Sequence, residues 1–152
     1  MPFDAGRFDE ACCRYVTPLI EQHPAFVSYF AAGAAPEQLD ACEAAIACNL
    51  PPDLRHLLSR HNGADAQVLP GWELFSAERI VEEWRVWEEL YHDQFKPDGY
   101  DCEPTGPVRS DEWWRLKWIP FCGDGGGKPF MPRYGACGGR RCRTGHHHVA
   151  RR

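Results

Sequence analysis

Cys137, Cys142 and the run His146-His147-His148 are the side chains here with the donor types for a transition metal, since thiolate sulfur and imidazole nitrogen suit zinc. Their spacing fits no ordinary zinc motif, so they read as adventitious zinc or nickel ligands, and neither a metal nor a cofactor is assigned. Gly123-Asp124-Gly125-Gly126-Gly127 followed by Lys128 could cradle a phosphate on backbone amides. The pattern departs from a phosphate loop twice, with Cys122 where the first glycine belongs and Pro129 where a Ser or Thr must follow the lysine. It reads as a tight turn whose glycines supply positive φ at several successive positions. His56, His61 and His92, with 22 Asp and Glu, offer acid–base groups in no diagnostic arrangement, and no catalytic residue is assigned.

A different kind of site lies between Ala77 and Gln94. At 100° per residue Ile80, Trp84, Trp87 and Tyr91 fall on one side of a helix, while Glu78, Glu82, Arg85, Glu89 and Asp93 fall on the other. The first stripe is core. Glu78, Glu82, Glu89 and Asp93 make either a solvated face or a docking surface for a basic protein.

The charge distribution bears on that choice. Every acid lies at or before Asp124, against ten Lys and Arg before residue 128, which leaves the body at −12. From Lys128 to Arg152 there are seven Lys and Arg and no acid, a segment at +7. A body so acidic disfavours nucleic acid, whose phosphates need a basic surface. No apolar run is long enough to span a membrane, and Met1-Pro2-Phe3-Asp4 lacks the basic-then-apolar order of a signal peptide, so the expected location is cytoplasmic. The eight cysteines are scattered without a repeating spacing and read mostly as small core residues.

The elements that position these residues belong to one domain, given 152 residues with 43% hydrophobic and 26% charged content. Asp4 to about Phe30 reads as helix in two pieces divided at His23-Pro24. Pro36 opens a short helix ending near Asn49; Pro51-Pro52-Asp53 starts another, which Asn62-Gly63 stops. Val68-Leu69 and Trp72 to Phe75 read as short strands or a hairpin around Pro70-Gly71, and Ser76 caps the long amphipathic helix. Lys96 to Asp111 is a loop, and Trp118-Ile119-Pro120-Phe121 reads as a strand entering the glycine turn.

Taken together, Leu50-Pro51-Pro52-Asp53-Leu54, His61-Asn62-Gly63, Pro70-Gly71-Trp72, Leu74-Phe75-Ser76, Glu83-Trp84, Trp118 to Phe121 and Gly123 to Gly127 resemble the SUKH superfamily. Within it they resemble the SMI/KNR cell-wall-assembly-regulator-like group, over about Pro36 to Gly127. The resemblance implies a single α+β domain, helices on a mixed β-sheet, that binds other proteins without turnover. Bacterial members of this kind look like immunity proteins that neutralise a toxin. It divides the chain into a helical segment 1–35, the domain core 36–127 and a basic tail 128–152. It makes Leu50, Pro51, Asn62, Gly63, Gly71, Trp72, Trp84, Trp118, Pro120, Phe121 and Gly123 to Gly127 structural. The alternatives are a small metal- or nucleotide-binding enzyme and a frameshifted copy without function; nothing here sets an oligomeric state.

The tail favours a frameshift. In such proteins the glycine turn continues into a strand of the type Asn-His-Leu-Cys-Leu-Asp and later Gln-Val-Ile-Thr-Met-Trp. Lys128 to Tyr134 can be written AAG CCA TTT ATG CCT CGA TAT, and deleting the third base gives codons for Asn-His-Leu-Cys-Leu-Asp. Thr144 to Ala150, written ACA GGT CAT CAC CAT GTG GCG, yields Gln-Val-Ile-Thr-Met-Trp in the same shifted frame. A one-base insertion near codon 128 accounts for both and for the charge break. It predicts C-terminal strands lost or disordered, an unpaired sheet edge and a marginal, aggregation-prone product. Sequencing the gene decides it.

Overall fold

The computed structural model describes residues 2–64, 68–95, 117–126 and 129–130. The tail from residue 131, Gly127 and the loop from Lys96 to Asp111 lie outside the described residues.

Helix α1, Ala5–Gln22, starts where the Asp4 carboxylate accepts the Arg7 N–H at 3.1 Å and ends at His23-Pro24, where a 3-10 turn, Pro24–Tyr29, takes over. It carries Pro18 inside it and, at 18 residues, exceeds the amphipathic helix. Helix α2, Pro36–Ala45, begins on its proline as expected but stops short of Asn49. Ala47 turns left-handed there (φ 49°), and the Cys48 N–H donates to the Glu43 carbonyl at 3.1 Å, closing the helix end. Helix α3, Pro52–Arg60, is tied back to α2 by Glu43, which accepts the Leu50 N–H at 2.8 Å and pairs with Arg55 at 2.7 Å.

After α3 the chain runs beside residues 30–34. The Ala34 N–H donates to Leu58, the Asn62 N–H to Ala32 and the Ala31 N–H to Gly63, at 2.9, 3.0 and 3.1 Å. Leu69 and Trp72 then exchange both backbone hydrogen bonds around Pro70-Gly71, with Gly71 at φ 79°, the hairpin that these residues predict. Strand β1 is Glu73–Leu74, helix α4 is Ala77–Leu90, and a π turn, Tyr91–Phe95, follows.

Strand β2 is Cys122–Gly123, immediately after the apolar run Trp118 to Phe121 that was expected to form it. Trp118, Ile119 and Pro120 are buried, and Phe121 accepts the Phe75 N–H at 2.9 Å. Pro120 has no N–H for a ladder, so the run fills the core, and the ladder with β1 begins at Cys122. Strand β3, Pro129–Phe130, returns antiparallel along β2, so part of the strand expected to be lost is made. The order is β1-β2-β3; both pairings are antiparallel, and no parallel pair occurs among the described residues.

The core unites α2, α3, α4 and Trp118-Ile119, with Ile46, Leu58, Ile80, Ile119 and Pro120 fully buried and Trp84 and Trp118 as large anchors. The protein is thus a single α+β domain. No described helix is long and apolar enough to cross a membrane.

Candidate functional site

Helix α4 separates its two faces as its spacing requires. Ser76 accepts the Arg79 N–H at 3.1 Å, and Asn62 reaches across from the end of α3 to accept the Ala77 N–H at 2.7 Å, so two caps hold the first turn. Ile80 and Trp84 are buried, and Trp87 and Tyr91 pack partly buried on the core. On the other side Glu82, Arg85, Glu89 and Asp93 are exposed. Asp93 sits in the wider π turn, which rotates it relative to a continued α-helix.

Two residues of this face do something that their spacing did not reveal. Glu78, exposed, accepts from Gln38 Nε2 at 2.9 Å and from Asn62 Nδ2 at 3.2 Å, linking α2, the Asn62 turn and α4. Its own backbone N–H, then Asn62, Ser76 and Gln38, hold its carboxyl below the usual range against a smaller opposing effect of burial. Val86, 50% exposed, stands on the same face, three or four residues from Glu82, Glu83 and Glu89. A β-branched apolar residue at the phase of the acidic stripe was the available signal for it. Arg79 bridges Glu82 at 3.2 Å and Glu83 at 2.5 Å and lies over the Phe75 ring, so part of the acidic field is neutralised from within.

The family-motif residues serve the scaffold. Leu50, Pro51, Trp84, Trp118 and Pro120 are buried; Trp72 and Phe121 are partly so. Gly63 takes φ 91° against the Ser76 backbone, where a side chain would collide. In the glycine turn only Gly125, among the described residues, has positive φ (71°), which corrects the expectation of several in succession. Asp124 Oδ1 accepts the Gly126 N–H at 2.8 Å and shapes the turn, while Gly123 is required by the Phe75 ring, 2.5 Å from where its Cβ would lie. Gly127, Cys137, Cys142 and His146 to His148 lie outside the described residues. Among those described, no cluster of three potential metal ligands occurs.

Of the cysteines, Cys42 and Cys122 are core residues whose thiols burial pushes up to about 11 and about 12, while Cys12 and Cys48 are half-buried and Cys13 is exposed. Sequence spacing also gave no sign of a contact between α1 and α3. His56 Nε2 lies 2.7 Å from Asp9 Oδ1, and that hydrogen bond, with the nearby charges of His56 and Arg60, holds the Asp9 carboxyl below its ordinary range. His61 is the C-terminal cap of α3, its N–H donating to the Leu57 carbonyl at 2.8 Å, and its ring lies tilted against Phe30 with centroids 4.9 Å apart.

Helices on a short antiparallel sheet, with an Asn-Gly turn capping the next helix and a buried Trp-Ile-Pro run before a glycine turn, define a scaffold domain of the SUKH class. The chain belongs to the SMI1/KNR4 family (SUKH-1), whose model matches residues 33–141. A comparison with curated proteins gave no match.

Proposed function

We propose that this domain is a non-catalytic, cytoplasmic protein-binding module of the immunity type, which neutralises a toxin by covering a basic surface of it with the exposed face of α4. The observation that carries this reading is Val86, half exposed amid Glu82, Glu83 and Glu89. An apolar centre with a charged rim is the arrangement in which contact area gives affinity and the rim gives orientation and association rate. Glu82, Glu89 and Asp93 supply the rim; Glu78, tied to Asn62 and Gln38, holds the helix start in place more than it is free to reorient.

The test uses the full chain as bait, identification of the captured partner, and titration of the purified pair. Charge reversal at Glu82 and Glu89 together should weaken binding at least tenfold, mainly through a slower association rate, and should reduce its dependence on salt. Val86→Ala should speed dissociation. Unchanged affinity in both variants rejects this surface, and turnover of a partner or ligand by the purified chain rejects the non-catalytic reading.

A further inference from the structure

Helix α1 buries none of its residues, and no member of the core cluster precedes Ala34. The family match starts at residue 33, so α1 lies outside the matched residues. Its attachment to α3 converges on one side chain. Asp9 bonds His56 Nε2 at 2.7 Å; the Phe3 and Phe8 rings stand 5.5 and 5.7 Å from the imidazole and 5.9 Å from each other. Arg60 adds a long 4.0 Å approach to the other Asp9 oxygen, and Tyr15 donates to the Val68 carbonyl at 2.8 Å farther along. Beside His56 a shallow groove of about 580 Å³ runs between α2 and α3, lined by Ala34, Pro36 and Leu39 and, from the arm, by Phe3.

Helix α3 is more basic than the body around it. In a body at −12, it carries Arg55, His56 and Arg60 against one acid, Asp53. Arg55 is engaged by Asp40 and Glu43, at 2.6 and 2.7 Å, which leaves His56 and Arg60 facing the arm.

We propose that the α3 face centred on His56 is a docking site for an amphipathic helix of a partner protein bearing a carboxylate and two aromatic side chains, and that Phe3, Phe8 and Asp9 occupy it in cis as a displaceable stand-in. The arm shows which chemistry the face accepts: rings on the imidazole, a carboxylate on Nε2 and near Arg60. The arm contributes no member of the core cluster, so its release leaves the contacts within that cluster in place. A tethered arm competes at an effective concentration of about millimolar, which lowers the apparent affinity of a partner until the arm is weakened. This inference does not rest on the acidic face of α4.

The probe is a fluorescein-labelled peptide of residues 2–22, with Cys12 and Cys13 made serine, titrated by anisotropy into the full chain. The released variant F3S/F8S/D9K should bind it at least tenfold more tightly than the natural chain, and adding His56→Ala should abolish that gain; E82K/E89K should leave it unchanged. Equal binding by the natural and released chains, or a gain that survives His56→Ala, overturns the proposal. On the natural chain, α1 amides should exchange with deuterium at least tenfold faster than those of α4. Exchange of α1 together with α4 makes the arm a fixed part of the fold and overturns it. So does a concentration-dependent dimer that F3S/F8S/D9K dissolves, which would assign the face to a second copy.

Discussion

Gly33→Ala is the sharpest test of how the N-terminal segment is joined to the domain. A Cβ on Gly33 would lie 2.0 Å from the Ser59 carbonyl oxygen, 2.8 Å from its carbon and 3.2 Å from the Arg60 carbonyl carbon. All three are backbone atoms, so no side chain can rotate away, and the strap must move outward by more than about 1 Å to reach ordinary contact. It is held on both sides, by the Ala34 bond to Leu58 at 2.9 Å and the Asn62 bond to Ala32 at 3.0 Å, and such a shift takes one or both beyond hydrogen-bonding range. Overpacking costs about 1–3 kcal/mol and each lost bond about 0.5–1.5, against about 0.4–1 regained because alanine restricts the unfolded chain. The expected net loss is about 2–4 kcal/mol, a fall in Tm of about 4–16 °C for a domain of this size.

Urea unfolding followed by tryptophan fluorescence reads this directly, since Trp84 and Trp118 are buried. The control is Gly71→Ala: Gly71 has φ 79° but nothing within 4 Å of its Cβ position, so the cost there is backbone strain alone, about 1 kcal/mol. A Gly33→Ala loss no greater than that of the control refutes the steric argument and means that the strap lies slack over Ser59.

Asn62→Ala removes the acceptor for the N–H of Ala77, a residue only 1% exposed, and should cost about 1–3 kcal/mol in the same assay. Ala47→Gly should stabilise the protein by roughly 0.5–1 kcal/mol, because glycine adopts the left-handed backbone at the end of α2 without the Cβ penalty; a loss of stability would contradict this assignment. The Glu78 and Asp9 carboxyls are held below their ordinary values in the folded state, so the unfolded chain takes up protons first on acidification. Their contribution is complete above the ordinary carboxyl range and is lost as pH falls from there through the lowered folded values, and Glu78→Gln should flatten the acid limb of Tm against pH below about 5. Restoring the reading frame at codon 128 should raise Tm and sharpen the transition; an equally cooperative melt in the chain as it stands would count against the frameshift and for the basic tail as part of the fold.

What could be read in the sequence was chemistry that acts over a few residues. Pro36 as a first helical residue, Ser76 as a cap, Pro70-Gly71 as a hairpin turn and the stripe Ile80, Trp84, Trp87, Tyr91 each follow from local backbone geometry or the 3.6-residue period. What escaped was pairing across long separations. Asn62 was legible as a stop for its own helix but not as the cap of α4, 15 residues on, and Asp9 could not be matched to His56 across 47 residues. The strand before the glycine turn was displaced because hydrophobicity marks burial without saying whether the buried backbone is paired. Gly123 was assigned to turn geometry when its cause is the Phe75 ring, which only the folded sheet brings against it.

The same division separates the family fold from the choice of partner. Asn62, Gly63, Trp84, Trp118, Pro120 and Gly123 are consumed by caps, turns and core, and changing any of them is expected to be registered first as lost stability. They can therefore define a scaffold without defining what it binds. Glu82, Val86 and Glu89 are exposed, and substitution there ordinarily alters stability by only about 0.5 kcal/mol. A scaffold built this way can exchange side chains along α4 while every motif contact stays in place. That is why the proposed recognition surface lies on the outer face of α4, where sequence can vary at little cost to the fold.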